Sequence, residues 1–141
     1  MEDRMTELSK ILASDIMIKD PLFTFPNEKI SVTELLMVRK NIGGLPVVRD
    51  RENKQLVGII TQRDIRLARF AMSFDSPNTV VKDLMTSEPF VVKENDTLKK
   101  IIEIMVEKNV QRLPVIDKNN ELIGLVLRNE ILQQVLRYMK K

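Results

Sequence analysis

The sequence predicts an α+β fold (α/β in its local order): two tandem β-α-β-β-α repeats in a pseudo-two-fold arrangement, preceded by an N-terminal helix. Internal repetition is the first observation behind this. Asn109-Val110-Gln111-Arg112-Leu113-Pro114-Val115-Ile116 restates Asn41-Ile42-Gly43-Gly44-Leu45-Pro46-Val47-Val48 at an offset of 109 − 41 = 68. Asp83-Leu84-Met85 restates Asp15-Ile16-Met17, and Pro89 restates Pro21, at the same offset. Leu122-Ile123-Gly124-Leu125-Val126 restates Leu56-Val57-Gly58-Ile59-Ile60 at 124 − 58 = 66, so the second copy has a loop two residues shorter. The second observation is that each copy alternates segments of helical apolar spacing with short apolar runs between charged loops. The third is size: a repeat of roughly 60 residues buries too little surface to be stable alone, so two copies are expected to share one module.

The elements follow in order. Residues 1–12 carry Met1, Met5, Leu8, Ile11 and Leu12, one apolar stripe on an N-terminal helix that must pack on the module or on a partner. Residues 13–73 form the first repeat. Ser14 and Asp15 can cap a short turn through Met17. Leu22–Phe25 reads as a strand after Pro21, and residues 28–40 as a helix with Ile30, Leu36 and Met37 on one face and Thr33 where the second copy has Ile101. Gly43-Gly44 reads as the C-terminal stop of that helix, the alternative being a place where a ligand approaches the backbone. Leu45–Val48 and Leu56–Ile60 read as buried strands around the charged loop 49–55, and a helix over 62–72 closes the repeat.

Residues 74–78, with Ser76-Pro77, form a short linker, and residues 79–139 repeat the pattern. Strands are expected at 90–92, 113–116 and 122–127, and helices at 98–108 and 129–139. On the last helix Ile131, Leu132, Val135, Leu136 and Met139 make a stripe wide enough to extend past the core into a contact with another subunit.

Composition narrows the chemistry. There is no Cys and no His, which removes disulfides, thiolate zinc sites and Cys-His or Ser-His-Asp catalysis. No G-x-x-x-x-G-K-[ST] loop and no compact carboxylate cluster appear, so no catalytic or metal-ligating residue is assigned. The net charge of +3 comes from interspersed Lys, Arg, Asp and Glu, with one Tyr and no Trp. The pI near 9.2 permits nucleic-acid binding without favouring it. Met1-Glu2-Asp3-Arg4 precedes no long apolar run, so neither a signal peptide nor a membrane span is expected and the expected location is cytoplasmic.

Thr61-Gln62-Arg63-Asp64, at a strand-to-helix junction, is the sharpest local motif. Ser/Thr-x-x-acid caps a helix N-terminus. The same hydroxyl and carboxylate could instead hold a ribose, because an ionised carboxylate accepts hydrogen bonds from a cis-diol. The second copy reads Leu127-Arg128-Asn129-Glu130, without the hydroxyl and with a longer acid.

The doubled unit, with Asp15-Ile16-Met17, Leu45-Pro46-Val47-Val48 and Gly58-Ile59-Ile60-Thr61-Gln62-Arg63-Asp64 recurring in order, resembles the cystathionine β-synthase (CBS) domain, and the pair resembles a Bateman module, over about residues 13–138. The resemblance implies a regulatory, non-enzymatic module with two clefts between its sheets. It implies no required cofactor but an adenosyl ligand: AMP, ADP, ATP or an S-adenosylmethionine-type nucleoside. In this layout Thr61 and Asp64 hold the ribose. Ile59 and Ile60 with Phe90 and Val91 flank the base. Arg112, with Gln111 and Asn129 as polar neighbours, faces the phosphates, unless Arg112 is a solvated surface residue. A second, weaker cleft would use Glu130, Leu22 and Phe23. The resemblance further implies a stand-alone small CBS protein, a homodimer through module helices and a regulated protein partner of unknown identity. The competing functions are a dimeric structural or nucleic-acid-binding adaptor and, further off, a nucleotide-processing enzyme.

Overall fold

The computed structural model describes residues 2–72 and 77–140. Met1 and most of the expected linker, Phe74 to Ser76, lie outside the described residues. The chain runs α1 (Glu2–Ser9), α2 (Ala13–Ile16), β1 (Ile18–Lys19), α3 (Ile30–Lys40), β2 (Gly44–Val48), β3 (Leu56–Thr61), α4 (Gln62–Met72), α5 (Val81–Leu84), β4 (Thr86–Ser87), β5 (Val92–Lys93), α6 (Leu98–Lys108), β6 (Arg112–Ile116), β7 (Leu122–Leu127) and α7 (Arg128–Met139). Seven helices and two sheets among the described residues make this a mixed α+β fold.

The chain packs as two compact units, Leu22–Pro89 and the combination of Met1–Pro21 with Phe90–Lys141. These boundaries are offset from the sequence repeats. The stretch that opens each repeat packs with the sheet of the other repeat: β1 pairs antiparallel with β7 (Ile18 opposite Leu125), and β4 with β3 (Ile59 opposite Thr86). Two repeated features of the sequence are halves of one contact here. A Cβ at Gly58 would stand 2.7 Å from Met85 Sδ and 2.8 Å from the Thr86 carbonyl oxygen. A Cβ at Gly124 would collide with Met17 Sδ. Only glycine lets each methionine lie across its strand.

In the Leu22–Pro89 unit the sheet order is β2-β3-β4, and the antiparallel β2–β3 pair sets Gly44 opposite Thr61. Ile30 and Met37 from α3, Leu45, Val47 and Ile60 from the sheet, Ile65 from α4 and Val81 from α5 form its core. Thr33 is buried among them, and its Oγ1 lies 3.0 Å from that of buried Thr24. A bidentate ion pair ties α3 to α4: Arg69 Nη1 donates to Glu34 Oε2 (2.6 Å) and Nη2 to Oε1 (2.5 Å). The hydrogen bond from Arg69, reinforced by its charge, holds the Glu34 carboxyl below its usual range against a smaller opposing effect of burial.

In the other unit the order is β1-β7-β6-β5, with β5–β6 parallel. Leu98, Ile101 and Met105 of α6 occupy the positions of Ile30, Thr33 and Met37, and Ile131 of α7 that of Ile65. Leu8 and Ile11 pack against this core, so the N-terminal stripe covers its own chain, while Met5 stays exposed. Both β-ladders shift register at the same place, between Val47 and Val48 and between Val115 and Ile116.

Three expectations are corrected. The strand expected at 90–92 forms at Val92–Lys93, which leaves Phe90 and Val91 before it. The strand expected at Leu22–Phe25 contracts to a single parallel bridge between Thr24 and Val47, in the position where β5 pairs with β6. Prolines at 21 and 26 leave no room for a longer ladder, since proline supplies no N–H. The residue that ends α3 is Asn41, in the left-handed region at φ 52°, not Gly43-Gly44, neither of which has positive φ. Asn109 ends α6 in the same conformation, as asparagine tolerates it best among residues with a Cβ.

Candidate functional site

β3 runs directly into α4, and this junction carries the candidate ribose site. Thr61 N–H donates to Asp64 Oδ2 (2.9 Å), and Asp64 N–H donates to Thr61 Oγ1 (3.1 Å). The two residues therefore cap the helix reciprocally, satisfying two backbone donors at once. Each keeps binding capacity. The Thr61 hydroxyl accepts in this bond and retains its own hydrogen to donate, and Asp64 Oδ1 accepts no hydrogen bond from the described residues. Both side chains are half-buried. Gly44, opposite Thr61 in the ladder, places no side chain beside it.

The helix start is held by a second device. Gln62 N–H donates to the Gly43 carbonyl (2.9 Å), and its side-chain amide donates to the Ile42 carbonyl (3.2 Å). The matching backbone bond runs from Arg128 N–H to the Gln111 carbonyl (3.0 Å), and α7 forms behind Leu127 with no side-chain cap. The fold thus starts this helix without a hydroxyl or a reciprocal carboxylate. Thr61 and Asp64 supply more polar chemistry than the helix needs.

Of the other candidates in the same unit, Ile60 is fully buried core and Ile59 is half-buried. Leu22 is exposed, and Phe23 packs edge-to-face on Phe25 with ring centroids 5.5 Å apart. Phe90, Val91, Gln111, Arg112, Asn129 and Glu130 belong to the other unit. There the ladder sets Arg112 opposite Leu127, so Gln111, Arg112, Asn129 and Glu130 gather where β6 begins and α7 starts. Phe90 is half exposed, with Lys108 Nζ 5.4 Å from its ring centroid. This contact was not read from the sequence. Neither was a cavity lined by Thr24, Thr33, Arg39 and Arg51, although Thr33 in place of Ile101 was its one visible signal. Among the described residues no acidic cluster has the makings of a metal site, and no helix is long and apolar enough to cross a membrane.

Two sheets of this topology, each fed by the opening segment of the other repeat, and a Thr-x-x-Asp helix start in one copy define a duplicated α+β module. The sequence matches the CBS domain over residues 13–70 and 81–137, and the chain belongs to that family. It is 35% identical to inosine-5'-monophosphate dehydrogenase of Methanocaldococcus jannaschii over 122 residues, covering 86% of this chain and 23% of that protein. The chain spans about a quarter of the length of the curated relatives it matches. Among solved structures, CBSX2 in complex with AMP superposes with a TM-score of 0.81 at 28% identity, covering 93% of this chain and 99% of that one. The CBS domain pair of MJ0100, in complex with 5'-methylthioadenosine and S-adenosyl-L-methionine, superposes at 0.78 with 27% identity, covering 88% and 98%.

Proposed function

We propose that this chain is a regulatory, non-catalytic module that binds an adenosyl ligand, with the Thr61 hydroxyl and the Asp64 carboxylate holding the ribose. The observation that carries the reading is the polar surplus at the start of α4. Asp64 has an oxygen left to accept from a ribose hydroxyl, Thr61 a hydrogen left to donate, and the second copy forms the same helix with no hydroxyl there and no side-chain cap. The AMP of CBSX2 and the adenosyl ligands of the MJ0100 pair support the ligand class. On this reading the Glu130 position is the weaker of the two. The absence of His and Cys from the sequence fits a module that responds to a ligand rather than transforming it. Exposed Leu132, Leu136 and Met139 on α7, with Leu67 and Phe70 on α4, support self-association as the output that the ligand biases.

Calorimetric titration with AMP, ATP and S-adenosylmethionine tests the reading. At least one should bind well below millimolar, and Asp64→Asn, which keeps an oxygen for the Thr61 N–H, should weaken it by at least about tenfold through loss of a charge-assisted bond. Glu130→Gln should change it far less. Equal effects of the two substitutions would move the site away from Thr61 and Asp64, and no binding by the folded protein would remove the function.

A further inference from the structure

A cavity of about 310 Å3 opens in the Leu22–Pro89 unit between α3 and the Phe23–Phe25 segment. That is the lower end of the size range of small-molecule sites. Thr61 and Asp64 do not line it. Its walls are apolar, from Phe23, Phe25, Val32, Leu35 and Leu36. The buried Thr24–Thr33 hydroxyl pair lies within the lining; one hydroxyl hydrogen is used inside the pair and the other is left to offer. Arg39 and Arg51, both exposed residues, also line it, so their charges stand at its mouth.

The arginines are placed without a structural ion pair to explain them. Neither has a carboxylate within ion-pairing distance among the described residues. The Arg51 guanidinium carbon lies 5.4 Å from the Phe25 ring centroid and 6.0 Å from that of Phe23, which fixes it beside the apolar wall. Glu28 contributes the one negative charge of the lining, and its Oε1 accepts the Lys29 N–H. Two cations and one anion leave the lining positive, and Lys54 Nζ, 5.5 Å from the Phe23 ring centroid, adds to that charge nearby.

The second copy shows that the fold does not require this chemistry. At an offset of 68, Phe25, Val32, Leu35 and Arg39 become Lys93, Lys100, Glu103 and Glu107, all exposed. Thr24 and Thr33 become Val92 and Ile101, both core. α3 and α6 are nonetheless the same length and end in the same left-handed Asn. One copy thus has an ordinary charged surface where the other has an apolar cavity with two arginines at its mouth.

We infer that this cavity is a second ligand site, separate from the proposed adenosyl site, for a small monocarboxylate with an apolar aromatic or branched body. The carboxylate sits at Arg39 and Arg51, where an arginine fork matches its two oxygens. The apolar body lies against Phe23, Phe25 and Leu36. A carboxylate matches the positive mouth and its apolar body the apolar walls, whereas a neutral molecule would leave the arginines unused.

The test is a protein-detected NMR titration of the full chain with 3-phenylpropionate and, as a neutral partner probe, 3-phenylpropionamide. The acid should give saturable shifts at the Thr24, Thr33 and Arg39 amides and bind at least about tenfold more tightly than the amide. Arg39→Gln with Arg51→Gln should abolish that preference, while AMP affinity stays unchanged. The inference is overturned by the absence of saturable shifts up to about 10 mM acid, a range that reaches affinities weaker than −4 kcal/mol. Equal binding of acid and amide, or shifts centred on other residues, overturns it as well. Shifts of the same amides on raising protein concentration without probe would make a second copy of the chain the occupant, and would overturn it too.

Discussion

Replacing Thr33 by valine keeps the shape of the side chain but removes one member of a hydroxyl pair whose residues are only 1% and 4% exposed. The partner, Thr24, is left with an oxygen 3.0 Å from a methyl group instead of a hydroxyl. A buried polar group stranded in this way costs about 1–3 kcal/mol, and water in the adjoining cavity draws the value toward the lower end. Thr24→Val should cost less, because the stranded Thr33 is helical and its hydroxyl can turn back to a carbonyl of the preceding turn. Changing both residues removes donor and acceptor together, which is close to neutral when shape is kept. The second copy already makes that choice with Val92 and Ile101, 1% and 0% exposed. A double-mutant cycle on Thr24→Val and Thr33→Val should therefore show a coupling of about 1–2 kcal/mol, with the double variant at least as stable as the worse single one. The assay is urea unfolding followed by circular dichroism, comparing midpoints at unchanged slope. Additive effects, with coupling under about 0.5 kcal/mol, would refute the reasoning: the hydroxyls would then be solvated independently, and their pairing would carry no energy.

Other expectations follow from the same contacts. Gly58→Ala should destabilise more than Gly124→Ala in urea unfolding. The added methyl at 58 meets the fixed Thr86 carbonyl as well as Met85, whereas the three atoms nearest a methyl at 124 all belong to the Met17 side chain; equal losses would mean that the backbone yields as readily as the side chain. The Glu34–Arg69 pair should show in the pH dependence. The folded pKa of Glu34 lies below the ordinary value of 4.5, so its stabilisation is complete above that value and is lost as pH falls from about 4.5 through the folded pKa. The pair is partly exposed and is worth no more than about 1 kcal/mol. The stability gap between the native sequence and Glu34→Gln should therefore narrow as pH falls below about 4.5, and a gap that stays constant would remove the pair from the account.

Most helices were legible because several signals agree at each. α4 and α6 begin and end where apolar spacing and terminal residues put them. Leu22–Phe25 misled because strand-forming residues were read without weighing Pro26, which follows them and has no N–H for a further rung. The end of α3 misled because glycine outranks asparagine as a terminator in general, yet Asn41 recurs as Asn109 while Gly43-Gly44 has no counterpart. The exchange of opening segments was hidden for a physical reason: repetition says that two stretches are alike, not which sheet each one joins. Thr61 and Asp64 were legible because their bonds close over three residues. Thr24 was not, since its partner lies nine positions away on another element.

The two copies also separate substitution that conserves a role from substitution that adds one. Glu34 and Arg69 correspond to Ile102 (34 + 68) and Val135 (69 + 66), both packed against their core. One copy joins its two long helices with a bidentate ion pair; the other has apolar side chains at both positions, each packed on its core. The structural task is the same, so the difference needs no function to explain it. The start of α4 is another matter, because α7 starts on the same backbone bond without a polar cap. The α3 cavity is a third case: its arginines hold no carboxylate of the described chain and its hydroxyls stand where the other copy is apolar. Desolvating a hydroxyl pair and leaving guanidiniums without an acid stabilise nothing by themselves. Polar chemistry that the sister copy shows to be unnecessary for folding is where a ligand has something to bind, and in this chain both instances lie in the Leu22–Pro89 unit.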